Sequence, residues 1–296
     1  MAAVQAGPVN GATVSQSDSA PVRREIRGHT GVAFVLPLLV VMLVAFDLPL
    51  LGMLARSLGW PHVSVDAYKE VVSYELYLKV ILNTFLIAAV STCACALLAY
   101  PLAYWMRGLS PVGQLIALAC LVVPFWVSVL IRTYAWIILL GNAGLVNSAM
   151  RSLGWIHEPI AFLYNSTGVT IGIVNVLLPF LALPLFAAMT KVDERLLNAA
   201  RSVGASEAQV FWRIFFPLTA PALVAGSLLV FLMALGFYVT PMVLGGGRVP
   251  MLVTMLDLLI NRMPNWNVAA AISVLLLAAT LALYALSRRL GARTLV

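Results

Sequence analysis

Side chains able to do chemistry are sparse in this sequence, and their spacing argues against catalysis. The histidines His29, His62 and His157 stand alone, and none belongs to an H-E-x-x-H pair. The sequence contains no G-x-S-x-G elbow and no G-x-x-x-x-G-K-[ST] loop, so neither a membrane hydrolase nor a nucleotide-phosphate site is supported. The expectation is a non-enzyme with no cofactor and no metal; work driven by ATP would need an ATPase on a separate chain. Cys93, Cys95 and Cys120 all fall within apolar runs. Cys93 and Cys95 are two residues apart and diverge around a helix, so small apolar core residues is the preferred reading over a disulfide or metal site.

Charges inside apolar runs are better clues, because each costs at least about 2.5–3.5 kcal/mol unless it faces protein or water. Asp47 and Arg132 lie in the outer halves of two such runs, and Asp257 sits in a short apolar piece after a glycine-rich break. Asp47 and Arg132 either snorkel or pair, or they line a water-filled path near its outer gate. Asp257 is a candidate acceptor for a cationic solute, with a surface acid as the plain alternative. Trp126, Tyr134, Trp136 and Tyr238 could contact a cation through their ring faces; the competing reading is core or interfacial-belt aromatics.

The longest polar segment between apolar runs, Asp193 to Pro217, reads as helix, turn, helix. Asp193 can cap a helix in which Leu196, Ala199, Ala200 and Val203 share one face. Gly204 supplies the left-handed backbone that ends it. Ser206 and Gln209 form an S-x-x-Q capping box, a second start, and Pro217 can open the next apolar helix at its first turn. A solvated linker needs none of these devices, so a docking role is favoured.

The elements that position these residues follow from composition. Of 296 residues, 62% are hydrophobic and 10% charged, against about 25% charged in a soluble domain. Apolar runs are long and lack period two, so the fold class is an all-α membrane protein. Six spans are expected, near 31–55, 80–104, 114–140, 168–190, 217–243 and 266–287. The first run is too long for a cleaved signal despite Arg23 and Arg24. Residues 1–30 read as a disordered tail, 31–287 as the membrane domain and 288–296 as a second tail. The net charge of +7 sits at the ends of the runs, which is topology and not a nucleic-acid surface. With the N-terminus inside, eleven Lys and Arg fall on the cytoplasmic side and six outside, so both termini and the loop 191–217 are placed in the cytoplasm. Prolines within the runs imply kinks in a packed bundle or cavity.

The loop resembles the EAA motif of ABC-importer permease subunits, through Asn198, Ala199, Ala200, Gly204, Ile214 and Pro217. Asn198 stands where the motif has glutamate, so any ion pair that carboxylate makes is lost or weakened, with Glu194 and Glu207 as nearby substitutes. Three further stretches are similar to the spermidine/putrescine permease group: Pro124 to Trp126 with Arg132 to Trp136, Leu140 to Asn147, and Thr240 to Arg248. The resemblance implies a type I importer bundle in the bacterial inner membrane. It further implies that residues 191–217, with Ala205 and Glu207 beside the motif positions, form coupling helices that dock on a cytoplasmic ATPase dimer. A second, non-identical permease and an external solute-binding protein delivering a polyamine or similar small solute are the other partners implied. A secondary transporter working alone is the alternative; it would need buried coupling carboxylates and an inverted repeat, and neither is evident.

Overall fold

Backbone crossing hydrocarbon can hydrogen-bond only to itself, so long apolar runs fold as helices. The computed structural model describes residues 36–293, and the expected tail at 1–30 lies outside the described residues. Among the described residues six helical stretches are long and apolar enough to cross a membrane: Leu36–Ser57, Glu75–Arg107, Val129–Ser152, Ser166–Thr190, Glu207–Leu235 and Trp266–Ala285. The chain divides into two units at Leu50/Leu51. In the first, residues 36–50 are helical with every side chain exposed, and Asp47 closes a π-helical turn, Leu43–Asp47.

The second unit is built on three long helices. We number the elements α1 (Leu36–Ser57), α2 (Asp66–Ser73), α3 (Glu75–Arg107), α4 (Pro111–Trp126), α5 (Val129–Leu140), α6 (Leu145–Ser152), α7 (Ser166–Thr190), α8 (Glu194–Ser202), α9 (Glu207–Leu235), α10 (Val239–Leu244), α11 (Leu252–Asp257, continued by a π-turn Leu258–Arg262) and α12 (Trp266–Arg293). Helix α7 buries side chains all round its axis, as a central helix must. Its Ile173, Leu177 and Leu181 pack with Ile87, Cys95 and Ala99 of α3 and with Val230 and Ala234 of α9. A second cluster joins α2, α11 and α12 against Val80 near the start of α3. A third, at the opposite end of α3, holds Ala103, Leu185, Met189, Leu197, Val210 and Phe215.

Four expectations change. The run read as one span at 114–140 is broken: α4 has 16 residues, about 24 Å of helix, and the chain is extended at Val127 before α5 begins. Pro124 lacks the N–H that would continue the ladder. The run read as 217–243 starts earlier and stops at Leu235, and the second polar helix of the loop is continuous with it. Pro217 does sit in the first turn of the α-helical stretch Phe216–Leu235, but that stretch runs on from a π-turn, Phe211–Phe215, and does not start after a loop. Of the cysteines only Cys95 is in the core, while Cys93 and Cys120 are exposed. The glycine-rich segment is a defined turn and not a loose break: Gly246 and Gly247 have φ of +54° and +75°, a region glycine enters at low cost, and Arg248 N–H donates to the Gly245 carbonyl at 2.9 Å.

Polar groups fix the segment after this turn. Asn83 Nδ2 donates to the Pro250 carbonyl and Leu252 N–H donates to Thr84 Oγ1, both at 2.8 Å. These bonds pin the start of α11 to α3.

Candidate functional site

The polar segment folds as its caps dictate. Asp193 Oδ1 accepts from Arg195 N–H at 2.8 Å. Gly204 takes φ +90°, and the reciprocal Ser206–Gln209 capping box is formed. The result is two short helical starts at an angle, α8 and the first turn of α9, hinged at Gly204.

Leu197, 5% exposed, anchors α8 in the third cluster, with Ala200 and Ala205 packed beside it. The face formed by Leu196, Ala199 and Val203 points outward: Val203 is 85% exposed and Leu196 53%. Of the face read from the sequence, Leu196, Ala199 and Val203 are left open while Ala200 packs on the cluster beside Leu197, a leucine outside that set that holds the element down. Asn198 and Glu207 are exposed, and Ile214 is half-buried against the cluster.

Two arginines tie the element together. Arg201 on α8 reaches across the hinge and donates from Nε and Nη2 to the two Glu207 oxygens at 2.7 and 3.0 Å, and from Nη1 to Asn198 Oδ1 at 2.8 Å. The bond to Glu207 raises the guanidinium pKa further above its ordinary value. Arg107, at the end of α3, stacks over Phe215 with its Cζ 5.0 Å from the ring centroid and lies 3.7 Å from Glu194 Oε1. With its side chain 16% exposed, it links the first turn of α8 to both long helices. Behind it, Tyr104 meets Phe211 and Phe215 edge-on, at 5.5 and 5.3 Å.

At the other end of the bundle is a cavity of about 490 Å³ lined by Tyr77, Tyr238, Met242, Asp257, Arg262 and Met263, among others. Asn261 Nδ2 donates to Asp257 Oδ1 at 2.7 Å. Loss of solvation, then the Asp257 carboxylate, pushes the Tyr238 hydroxyl above the usual phenol range. The Asp257 carboxylate, bonded by the neutral Asn261 amide, keeps lone pairs for a cation.

No family model matches the chain. The spermidine/putrescine transport system permease protein PotB of Haemophilus influenzae is 36% identical over 214 residues, 72% of this chain and 74% of that protein. PotB of Escherichia coli strain K12 is also 36% identical, over 72% of this chain and 77% of its own length. The chain belongs to the ABC-importer permease subunits. A putative 2-aminoethylphosphonate transport system permease protein, PhnU of Salmonella typhimurium, is 28% identical over 88% of this chain and 92% of that protein. The fold matches too. A bacterial ABC transporter for alginate import, solved with a pentasaccharide-bound periplasmic protein, superposes with a TM-score of 0.78 at 16% identity, over 90% of this chain and 95% of that one.

In this permease subunit, the structure gathers the residues expected to dock into one exposed element, and divides those expected along the path. Tyr238 and Asp257 share the cavity wall. Arg132 is half-buried, its Cζ 5.6 Å from the Phe125 ring centroid, with a buried Nε that has no hydrogen-bond partner among the described residues. Trp126 is 87% exposed and Tyr134 is exposed, while Trp136 packs on the core. Asp47 is exposed in the first unit. Leu197, Arg107, Tyr77 and Arg262 escaped the sequence reading. Arg107 and Glu194 are far apart along the chain, so no local spacing could pair them. Asn147, within a stretch that carried the resemblance, is structural: it donates to the Gly141 and Ile160 carbonyls, both at 3.0 Å, and accepts from Ile160 N–H at 2.9 Å.

Proposed function

We propose that this permease pairs with a second, non-identical permease, receives solute from an external binding protein, and is driven by two cytoplasmic ATPase subunits that hold the element 191–217. In this reading residues 31–287 form the permease domain and both tails are cytoplasmic, as the excess of Lys and Arg on that side supports. The observation that carries the coupling role is the capped, hinged element whose outward face exposes Val203 while Leu197 fixes it to the bundle. Closure of the ATPases pushes the element; α9, continuous with its second half, carries the push into the bundle. Alternating access then follows from two global states favoured by different ligands.

The proposed solute is a polyamine, supported by the PotB relatives and by the Asp257–Tyr238 wall. An ammonium group fits a carboxylate flanked by aromatic faces. Arg262 on the same wall favours a second reading, an amine that also carries an anionic group, as in the solute named for the PhnU relative. The test is ATP-dependent uptake by the complete transporter in proteoliposomes, with putrescine, spermidine and 2-aminoethylphosphonate as competing solutes. Polyamine uptake that the phosphonate leaves untouched supports the first reading. Uptake without ATP by this chain alone would replace both with a secondary transporter.

A further inference from the structure

The docking element differs from its motif at Asn198, and its geometry reverses the polarity of that position. An amide side chain carries one acceptor oxygen and one donor nitrogen. Arg201 has donors only, so the Asn198 atom it meets at 2.8 Å must be the oxygen. That fixes the flip of the amide by chemistry. The exposed Nδ2, with two N–H groups and no hydrogen bond among the described residues, is what the position offers outward.

The surrounding charge points the same way. Each acid of the element already has a partner within the chain: Asp193 caps Arg195 N–H, Glu194 lies beside Arg107, and Glu207 is gripped by Arg201. Lys191, Arg195 and Arg213 are exposed and form no ion pair among the described residues. The surface this element leaves for a partner exposes Val203 and Leu196 together with a free amide donor and cations without ion-pair partners among the described residues.

We propose that position 198 engages the ATPase as a hydrogen-bond donor, so that the ATPase surface facing it carries an acceptor, a carboxylate or backbone carbonyl, within an acidic rim around an apolar seat for Val203. Buried charge-assisted pairs at an interface discriminate between partners strongly, because like charges juxtaposed there repel with little solvent to screen them. The element is thereby specific for its own ATPase and mismatched to one built to receive a glutamate at that position. This rests on the docking reading above.

The experiment measures affinity of the co-encoded ATPase for the full-length permease pair in nanodiscs. Asn198→Glu should weaken binding about tenfold or more, with the loss shrinking as salt rises, while Asn198→Gln, which keeps the donor, stays within about threefold. Arg195→Glu should weaken binding with the same salt dependence. Tighter or unchanged binding by Asn198→Glu overturns the donor assignment alone. Val203→Asp separates the two levels: if it leaves the affinity unchanged, the element is not the docking surface, and both proposals fall together.

Discussion

Leu197→Ala isolates what holds the docking element to the bundle. Helix α8 has nine residues, too few to persist alone in water, where helices shorter than about 12–15 residues are marginal. Its stability is borrowed from packing, chiefly through Leu197, which is 5% exposed among Ala103, Leu185, Met189, Val210 and Phe215. Truncating a buried leucine to alanine costs about 2–5 kcal/mol. Arg107 and the Arg201 clamp remain, and α8 gains nothing in exchange. At about 1.4 kcal/mol per tenfold change in an equilibrium, the ratio of seated to detached α8 falls by about thirtyfold or more. The first core cluster does not include Leu197, so the loss is local, drawn from the low-stability end of the fold. Hydrogen exchange of the peptide 193–204, read by mass spectrometry on the permease in nanodiscs, should accelerate by that factor while α7 peptides keep their protection. Leu196→Ala, one residue along but on the open face, should leave exchange as it is. Equal acceleration in both variants, or none in Leu197→Ala, refutes the assignment of inner and outer faces.

Three further outcomes are expected. Gly204→Asp adds a side chain where nothing lies within 4 Å but φ is +90°, a cost of about 1–2 kcal/mol that shifts the hinge; ATP hydrolysis should continue while uptake falls, and uptake at the wild-type rate would remove the hinge from the coupling. Asp257→Asn should reduce transport of a cationic solute more than that of a neutral one in the same liposomes, and equal effects would return Asp257 to a structural role. Thr84→Val keeps the shape but deprives Leu252 N–H of its buried acceptor, a loss of about 1–3 kcal/mol; the detergent-solubilised protein should melt at a lower temperature, and an unchanged melting point would show that the bond does not hold α11.

Composition settles the class, because 62% apolar residues in long runs admit only membrane helices. The sequence also sets the caps of the docking element, since Asp193, Gly204, Ser206 and Gln209 act on backbone within a few residues of themselves. Turn chemistry and capping are local, and local physics is legible in order along the chain. Tertiary structure decided the rest. The periodic set Leu196, Ala199, Ala200 and Val203 marked an apolar face without saying what it meets; Leu197, outside that set, is the anchor, because which face of a short helix is covered depends on what α3 and α7 bring to it. The break at Val127 and the continuity of α9 through its π-turn were hidden, since hydropathy marks where a chain is apolar and not where its hydrogen-bond ladder is interrupted. Arg107 reached Glu194 and Phe215 only because the long helix α3 carried it to the end of the bundle where they lie, and Tyr238 and Asp257 share one wall because the turn at Gly246 and Gly247 folds α11 back beside α10. Sequence spacing holds no trace of such meetings; packing makes them.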